Sequence, residues 1–260
     1  PHFSPDGSKL IFSSDASNLV AGDTNGVSDA FIKDLNTGVV TRVSTDSTNL
    51  VQADYSTYSP IFSPDGTKVL FYSAASNLST VHTPASYDVF LKDLETGAVT
   101  RVSTDSNGVG GNDYSGDDPI FSPDGTKVAF YSDATNLVAD DTNIAGDVFV
   151  KDLITGTTTR ISVDDFGAEG NQTSFNPVFS PDGTKIMFVS YANNLVANDT
   201  NSTRDIFIKD LTTGVVTRVS TDGFGVEGNG SHLSPVFSPD GTKIAFRSDS
   251  SNLVAGDTNG

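Results

Sequence analysis

Apolar residues in this chain gather in short clusters that return at a fixed interval. A triplet recurs as Leu10-Ile11-Phe12, Val69-Leu70-Phe71, Val128-Ala129-Phe130, Ile186-Met187-Phe188 and Ile244-Ala245-Phe246. Consecutive side chains of a strand point to opposite faces, so this element, strand b, is predicted to be covered on both sides. Ahead of it lies strand a, in which a single phenylalanine recurs as Phe3, Phe62, Phe121, Phe179 and Phe237. Behind it, after a polar loop, comes strand c, with Phe31-Ile32-Lys33-Asp34-Leu35, Phe90-Leu91-Lys92-Asp93-Leu94, Phe149-Val150-Lys151-Asp152-Leu153 and Phe207-Ile208-Lys209-Asp210-Leu211. Strand d follows as Val39 to Ser44, Ala98 to Ser103, Thr157 to Ser162 and Val215 to Ser220, with Arg42, Arg101, Arg160 and Arg218 in one column. Its Thr, Val and Arg content predicts an outer, partly wet strand. No segment carries a helical period.

The punctuation repeats as strictly as the strands. Ser-Pro-Asp-Gly stands at Ser4, Ser63, Ser122, Ser180 and Ser238, in steps of 59, 59, 58 and 58 residues. Proline presets the first turn dihedral, Asp suits the second and glycine takes the left-handed conformation, so each motif joins strands a and b in a hairpin. Its aspartates, Asp6, Asp65, Asp124, Asp182 and Asp240, are read as turn formers. A second tight turn with Gly38, Gly97, Gly156 or Gly214 joins strands c and d. The repeats span 1–59, 60–118, 119–176 and 177–234, with a partial fifth at 235–260.

Such an array implies one supersecondary unit stacked on copies of itself. Four antiparallel strands per unit, with apolar inner strands, predict an all-β fold: a β-propeller of four-stranded blades, four complete and the first half of a fifth. The signature Phe179 to Phe188, Phe-Ser-Pro-Asp-Gly-Thr-Lys-Ile-Met-Phe, resembles the TolB-like β-propeller family, relatives of the WD repeat. That resemblance spans the chain and implies the fold, while such propellers serve as interaction platforms, companions of peptidase domains or modules of secreted proteins. Ser251 to Gly260 duplicates Ser17 to Gly26 and stops within the fifth blade. A bare strand b is an exposed apolar edge, so the sequence reads as a fragment of a larger propeller; further blades or self-association would cover the edge.

Composition narrows the partners. The formal charge is −18, from 33 acidic and 15 basic residues, which opposes nucleic acids and anionic membrane surfaces. Cysteine is absent, so disulfides and thiolate metal sites are excluded. No apolar run approaches the ~20 residues of a membrane helix. The acidic, cysteine-free composition suits a bacterial extracellular or cell-surface protein, with the periplasm as the alternative.

In a meander the a-to-b and c-to-d connections emerge at one end, and the b-to-c and d-to-a connections at the other. The first pair are tight turns and the second pair long, so ligands are expected on the long-loop face. The b-to-c loop of the first repeat reads Asp-x-Asn-Gly-x-x-Asp, placing Asp23, Asn25 and Asp29 around a glycine turn. Hard cations such as Ca2+ want oxygen ligands gathered in this way. The tract resembles the latter part of calcium loops written Asp-x-Asp-x-Asp-Gly-x-x-Asp, although Ala21 takes the first ligand position. Asp141, Asn143 and Asp147 repeat it with Ile144 for glycine, and Asp199, Asn201 and Asp205 with Ser202. The second repeat has His82 and Pro84 in place of the first two ligands and keeps only Asp88, so no site is expected there. The alternative is that the same side chains cap local turns.

The d-to-a loops carry Asp46, Asp54, Asp105, Asp113, Asp164, Glu169, Asp222 and Glu227, with Gly-Asn at Gly111, Gly170 and Gly228. They are expected to rim a central channel, either as a polar mouth or as solvated turns. His2, His82 and His232 occupy unrelated columns, and no nucleophile elbow, phosphate loop or His-Glu-x-x-His motif occurs. The sequence therefore points away from an enzyme and towards a binding or structural scaffold with a protein or glycan ligand. A metal-free envelope adaptor and the accessory propeller of a larger hydrolase are the rival readings.

Overall fold

The computed structural model of the chain describes residues 1–79 and 86–258, and every regular element among them is a β-strand. The first blade is β1 (His2–Phe3), β2 (Lys9–Ser14), β3 (Asp29–Asp34) and β4 (Val40–Arg42). The second is β5 (Thr57–Phe62), β6 (Lys68–Ser73), β7 (Asp88–Asp93) and β8 (Val99–Arg101). The third is β9 (Ser115–Phe121), β10 (Lys127–Ser132), β11 (Asp147–Asp152) and β12 (Thr158–Arg160). The fourth is β13 (Ser174–Phe179), β14 (Lys185–Ser190), β15 (Asp205–Asp210) and β16 (Val216–Arg218). A fifth sheet pairs β17 (His232–Phe237) with β18 (Ile244–Ser248). Within each sheet the strands run antiparallel in sequence order, as the repeat predicts.

The two apolar faces of strand b have different partners. Val69 and Phe71 pack with Ile11, Ala30 and Ile32 of the first blade, whereas Leu70 packs with Val128, Phe130 and Phe149 of the third. The third and fourth blades share Ala129 and Val148 with Ile186 and Phe188, and the fourth passes Met187 and Val189 to Phe237 and Phe246 of the fifth. Cross-strand phenylalanines lie at the middle of each four-stranded blade, with ring centroids 5.9 Å apart for both Phe71–Phe90 and Phe130–Phe149. No blade has a core of its own, and each core lies between blades.

The Ser-Pro-Asp-Gly turn is a closed hydrogen-bond unit. Ser63 Oγ donates to Asp65 Oδ1 at 2.6 Å and accepts the Lys68 N–H at 2.9 Å, while Asp65 Oδ1 accepts the Thr67 N–H at 3.0 Å. In the first, third, fourth and fifth copies these bonds, led by the serine hydroxyl, hold Asp6, Asp124, Asp182 and Asp240 at a pKa of about 2. Gly66 has φ +73°, and a Cβ there would lie 3.4 Å from Pro5 of the preceding turn, so consecutive turns nest. The pattern repeats at Gly125 against Pro64 and Gly241 against Pro181.

Phe130 and Phe224 separate core from surface. Phe130 has no exposure and Phe224 is 95% exposed. Phe130→Ala is expected to lower stability by about 3–5 kcal/mol, and Phe224→Ala to change it by less than about 0.5 kcal/mol. Urea unfolding followed by circular dichroism measures both, and equal losses would contradict inter-blade packing as the source of stability.

Candidate functional site on the long-loop face

The fourth blade shows how the long loops are held. Asp205 opens β15 and is fully buried, and its Oδ1 accepts the Ser220 hydroxyl at 2.5 Å. Arg218 closes β16 and turns inward, with Nη1 at 3.3 Å from Asp199, 3.7 Å from Asp205 and 2.7 Å from Glu227. Asp199 comes from the b-to-c loop, Asp205 from the first position of β15 and Glu227 from the d-to-a loop, so one guanidinium ties both long loops to strand d. Thr200 completes the clamp, its N–H donating to Glu227 at 3.1 Å and its hydroxyl to the same carboxylate.

The third blade repeats the arrangement, with Arg160 at 3.3 Å from both Asp141 and Asp147 and 2.8 Å from Glu169. In the first, Arg42 lies 3.3 Å from Asp23 and Asp29, and Gln52 stands where the third and fourth have glutamate, its amide donating to Thr24 at 3.0 Å. In the second, Arg101 pairs with Asp88 and donates to Gly111 O at 2.9 Å. His82 and Pro84 of that loop lie outside the described residues, as do Asn259 and Gly260.

The predicted ligand sets are thus partly brought together. Each pair of aspartates meets, but the asparagine between them turns its amide nitrogen, not its oxygen, towards the carboxylate. Asn25 Nδ2 donates to Asp29 at 2.9 Å and to Ala53 O at 2.9 Å, and its oxygen accepts the Val27 N–H. Asn201 does the same towards Asp205 and Gly228 O, at 2.8 and 2.9 Å, and Asn143 reaches Asp147 and Gly170 O. The arginine column is no wet outer row: the side chains of Arg42, Arg101, Arg160 and Arg218 are 12%, 3%, 8% and 9% exposed.

Asp199, Asp205 and Glu227 can each offer an oxygen within 4.8 Å of the others, the spacing of a metal site. Arg218 already lies against all three, so a cation there would have to displace it. The charges within the clamp are unequal. Burial pushes Asp147 up to about 6, and burial with the Asp205 charge does the same to Asp199. Glu169 and Glu227 are also pushed up by burial, but hydrogen bonds from Thr142 or Thr200 and the guanidinium outweigh it and hold them low. Asp147 and Asp199 therefore take up a proton more readily than a free aspartate, while the glutamate of the same clamp stays ionised.

Each d-to-a loop reaches across to the next blade instead of rimming the axis. Asn112 accepts the Thr135 N–H at 2.9 Å and gives its own N–H to Asn136 at 2.8 Å, while Asn136 Nδ2 returns to Gly110 O. Asn171 with Asn194, and Asn229 with Asn252, form the same latch. The lysine of strand c is a further inter-blade tie, Lys92 Nζ donating to Thr45 O at 3.0 Å and Asp46 O at 3.1 Å. The axis itself carries a cavity of about 590 Å³ lined by His2, Ser59, Asp118, Asn176, Val178 and Val236, and by none of the d-to-a carboxylates named above. Ser59, Asp118 and Asn176 reach it from left-handed bulges before proline, with φ of +44°, +55° and +52°.

His232 is buried beside the fourth clamp, with Nε2 3.6 Å from Asp205 and 3.4 Å from the Ser250 hydroxyl, and Nδ1 unpaired. A serine–histidine relay uses one ring nitrogen for each partner, and here one nitrogen faces both.

Arg218→Met leaves its three carboxylates facing one another, and breaking such a pair is expected to cost about 3–5 kcal/mol at pH 7. A carboxyl group whose folded pKa lies above its unfolded value binds protons more readily in the native state. Asp199, raised from 3.8 to about 6, thus contributes stability that grows as pH falls through 6. Without the arginine that effect becomes larger, so the deficit should narrow between pH 7 and pH 5 in urea titrations. A deficit independent of pH would contradict the clamp.

No protein-family model and no curated protein sequence matches the chain. Solved structures do. TolB from Acinetobacter baumannii is 22% identical over 93% of this chain, with a TM-score of 0.56. Oligogalacturonate lyase from Vibrio parahaemolyticus is 18% identical over 96%, at 0.58, and covered over 58% of its own length. The β-propeller domain of the Trilobed protease from Pyrococcus furiosus, described as having an open velcro topology, is 16% identical over 95%, at 0.56, with 61% of it covered. The chain spans 46% of the length of that TolB. With its meander blades, inter-blade cores and these likenesses, the chain has the β-propeller fold of the TolB-like structures.

Proposed function

We propose that the chain is a non-catalytic binding module, a rigid scaffold that presents its long-loop face to a partner outside the cytoplasm. The observation that carries this reading is the clamp. The buried carboxylates that would be wanted for acid–base chemistry or metal ligation are turned inward onto Arg42, Arg160 and Arg218. With the loops pinned in this way and latched blade to blade, the face offers a preorganised surface, which lowers the ordering cost of binding. The acidic, cysteine-free composition supports an extracellular, cell-surface or periplasmic setting. Calcium on the b-to-c loops is the weaker reading, because a resident guanidinium stands where the ion would go.

The test combines turnover with mapping. Polygalacturonate and peptide substrates are offered with and without Mn2+ or Ca2+, and hydrogen exchange is recorded with an oligo-arginine peptide, an oligo-aspartate peptide and a neutral oligosaccharide. No turnover, with protection confined to the long-loop segments, is expected. Turnover above that of the heat-unfolded chain, or protection confined to the Pro-Asp-Gly turns, would overturn the reading.

A further inference from the structure

Five tyrosines meet at the long-loop ends of the second and third blades. Tyr58 of β5 and Tyr72 of β6 stand opposite each other with ring centroids 5.7 Å apart, and Tyr87, just ahead of β7, lies 5.7 Å from Tyr72 and 6.0 Å from Tyr58. The row continues into the third blade through Tyr114, 5.8 Å from Tyr87, and Tyr131, 6.0 Å from Tyr114. Tyr58 is 36% exposed and the other four are half-buried, so the cluster has an open rim.

The repeat does not require this cluster. In the strand-b column of Tyr72 and Tyr131 the other blades carry Ser13, Val189 and Arg247. Two glycines make room for it. A Cβ at Gly116 would come 2.9 Å from the Tyr114 hydroxyl and 3.0 Å from the Tyr72 ring, and one at Gly146 would run into the Tyr131 ring. In the same columns the fourth blade carries Phe175 and Arg204.

Carboxylates edge the rings. Tyr114 Oη donates to Asp117 at 2.8 Å, Tyr131 Oη to Asp133 at 2.5 Å, and Ser59 Oγ to Asp118 at 2.5 Å. Asp117 and Asp118 are exposed, and among the described residues neither they nor Asp133 has an ion-pair partner. Burial, with the charges of Asp117 and Asp133, holds the Tyr114 and Tyr131 hydroxyls above the ordinary phenol range, so the rings stay un-ionised. The patch thus combines neutral π faces with unpaired negative charge. In the next blade the same face satisfies such a ring internally, with the Arg204 guanidinium 5.7 Å from the centre of the Tyr191 ring.

We propose that the tyrosine–aspartate patch of the second and third blades binds an arginine or lysine side chain presented by a basic segment of a partner protein. Ring faces attract an organic cation, and the carboxylates add charge-assisted acceptors. The net charge of −18 steers a basic partner towards the molecule. The inference rests on the binding-module reading and names both the place on the face and the partner's chemistry.

Five of the 7 tyrosines lie in the patch and there is no tryptophan, so intrinsic fluorescence reports on it directly. Titration of the chain with an oligo-arginine peptide should give a saturable fluorescence change, weakened by added salt. In calorimetry, Tyr58→Leu with Asp117→Asn should weaken binding about tenfold or more, since a ring contact and a charged acceptor are both lost. Glu95→Gln removes as much charge at an exposed position in the tight c-to-d turn, at the opposite end of the blade, and should change affinity by less than about twofold, a rim charge being worth little. Unchanged melting temperatures would show that both variants fold. Equal weakening in the two variants, or no binding of the peptide, would overturn the proposal. Saturation by a neutral oligosaccharide in place of the peptide would overturn it too, while leaving the binding-module reading intact.

Discussion

Everything in this molecule depends on strand b having no polar face. A strand apolar on both sides cannot be satisfied within one sheet, so each sheet needs a neighbour on either side. The consequence is visible in the division of labour between adjacent residues: Val69 and Phe71 belong to the core shared with the first blade, and Leu70 to the core shared with the third. Cooperativity then runs from blade to blade, as in other repeat architectures. The nested Pro5 and Gly66 turns reinforce the same contacts at one end, and the Asn112–Asn136 latch does so at the other.

Stacking leaves an electrostatic problem at the long-loop end. The b-to-c and d-to-a loops, with the strand starts that follow them, bring aspartates and glutamates into buried or half-buried positions where unpaired charge is expensive. The arginine column solves it by placing one guanidinium among two or three carboxylates in each of the first, third and fourth blades. The residual imbalance appears as aspartates raised to about 6 beside glutamates held low. Lysines of strand c, seated on carbonyls such as Thr45 O, tie the same loops from beneath. The face becomes rigid, and the side chains left over for a partner are those that the repeat does not use.

The fold was legible because its determinants are local. The triplets, the lone phenylalanines and Ser-Pro-Asp-Gly each fix a strand or a turn from neighbouring residues alone. The site was legible only in part, because its contacts are not local. Arg42 and Asp29 are 13 residues apart, and their pairing depends on β3 and β4 lying side by side with the arginine side chain turned up towards the loop. Strand propensity assigned that arginine to solvent. What could have found it is a column of positive charge and a column of negative charge sharing one period, with Glu169 and Glu227 joining at the same positions of their repeats. The orientation of Asn25 and Asn201, amide towards carboxylate, has no signature in sequence. The tyrosine patch was hidden for the opposite reason: it breaks the columns, and column averaging discards what occurs in only two blades.

The central claim is that the acidic loops are committed to arginine. A crystal structure obtained from crystals grown in millimolar CaCl2 tests it most directly, through density at the centre of the fourth clamp. The expected result is the Arg218 guanidinium in contact with Asp199, Asp205 and Glu227 and no ion between them. A calcium ion bound by those carboxylates, with Arg218 swung out to solvent, would contradict the account.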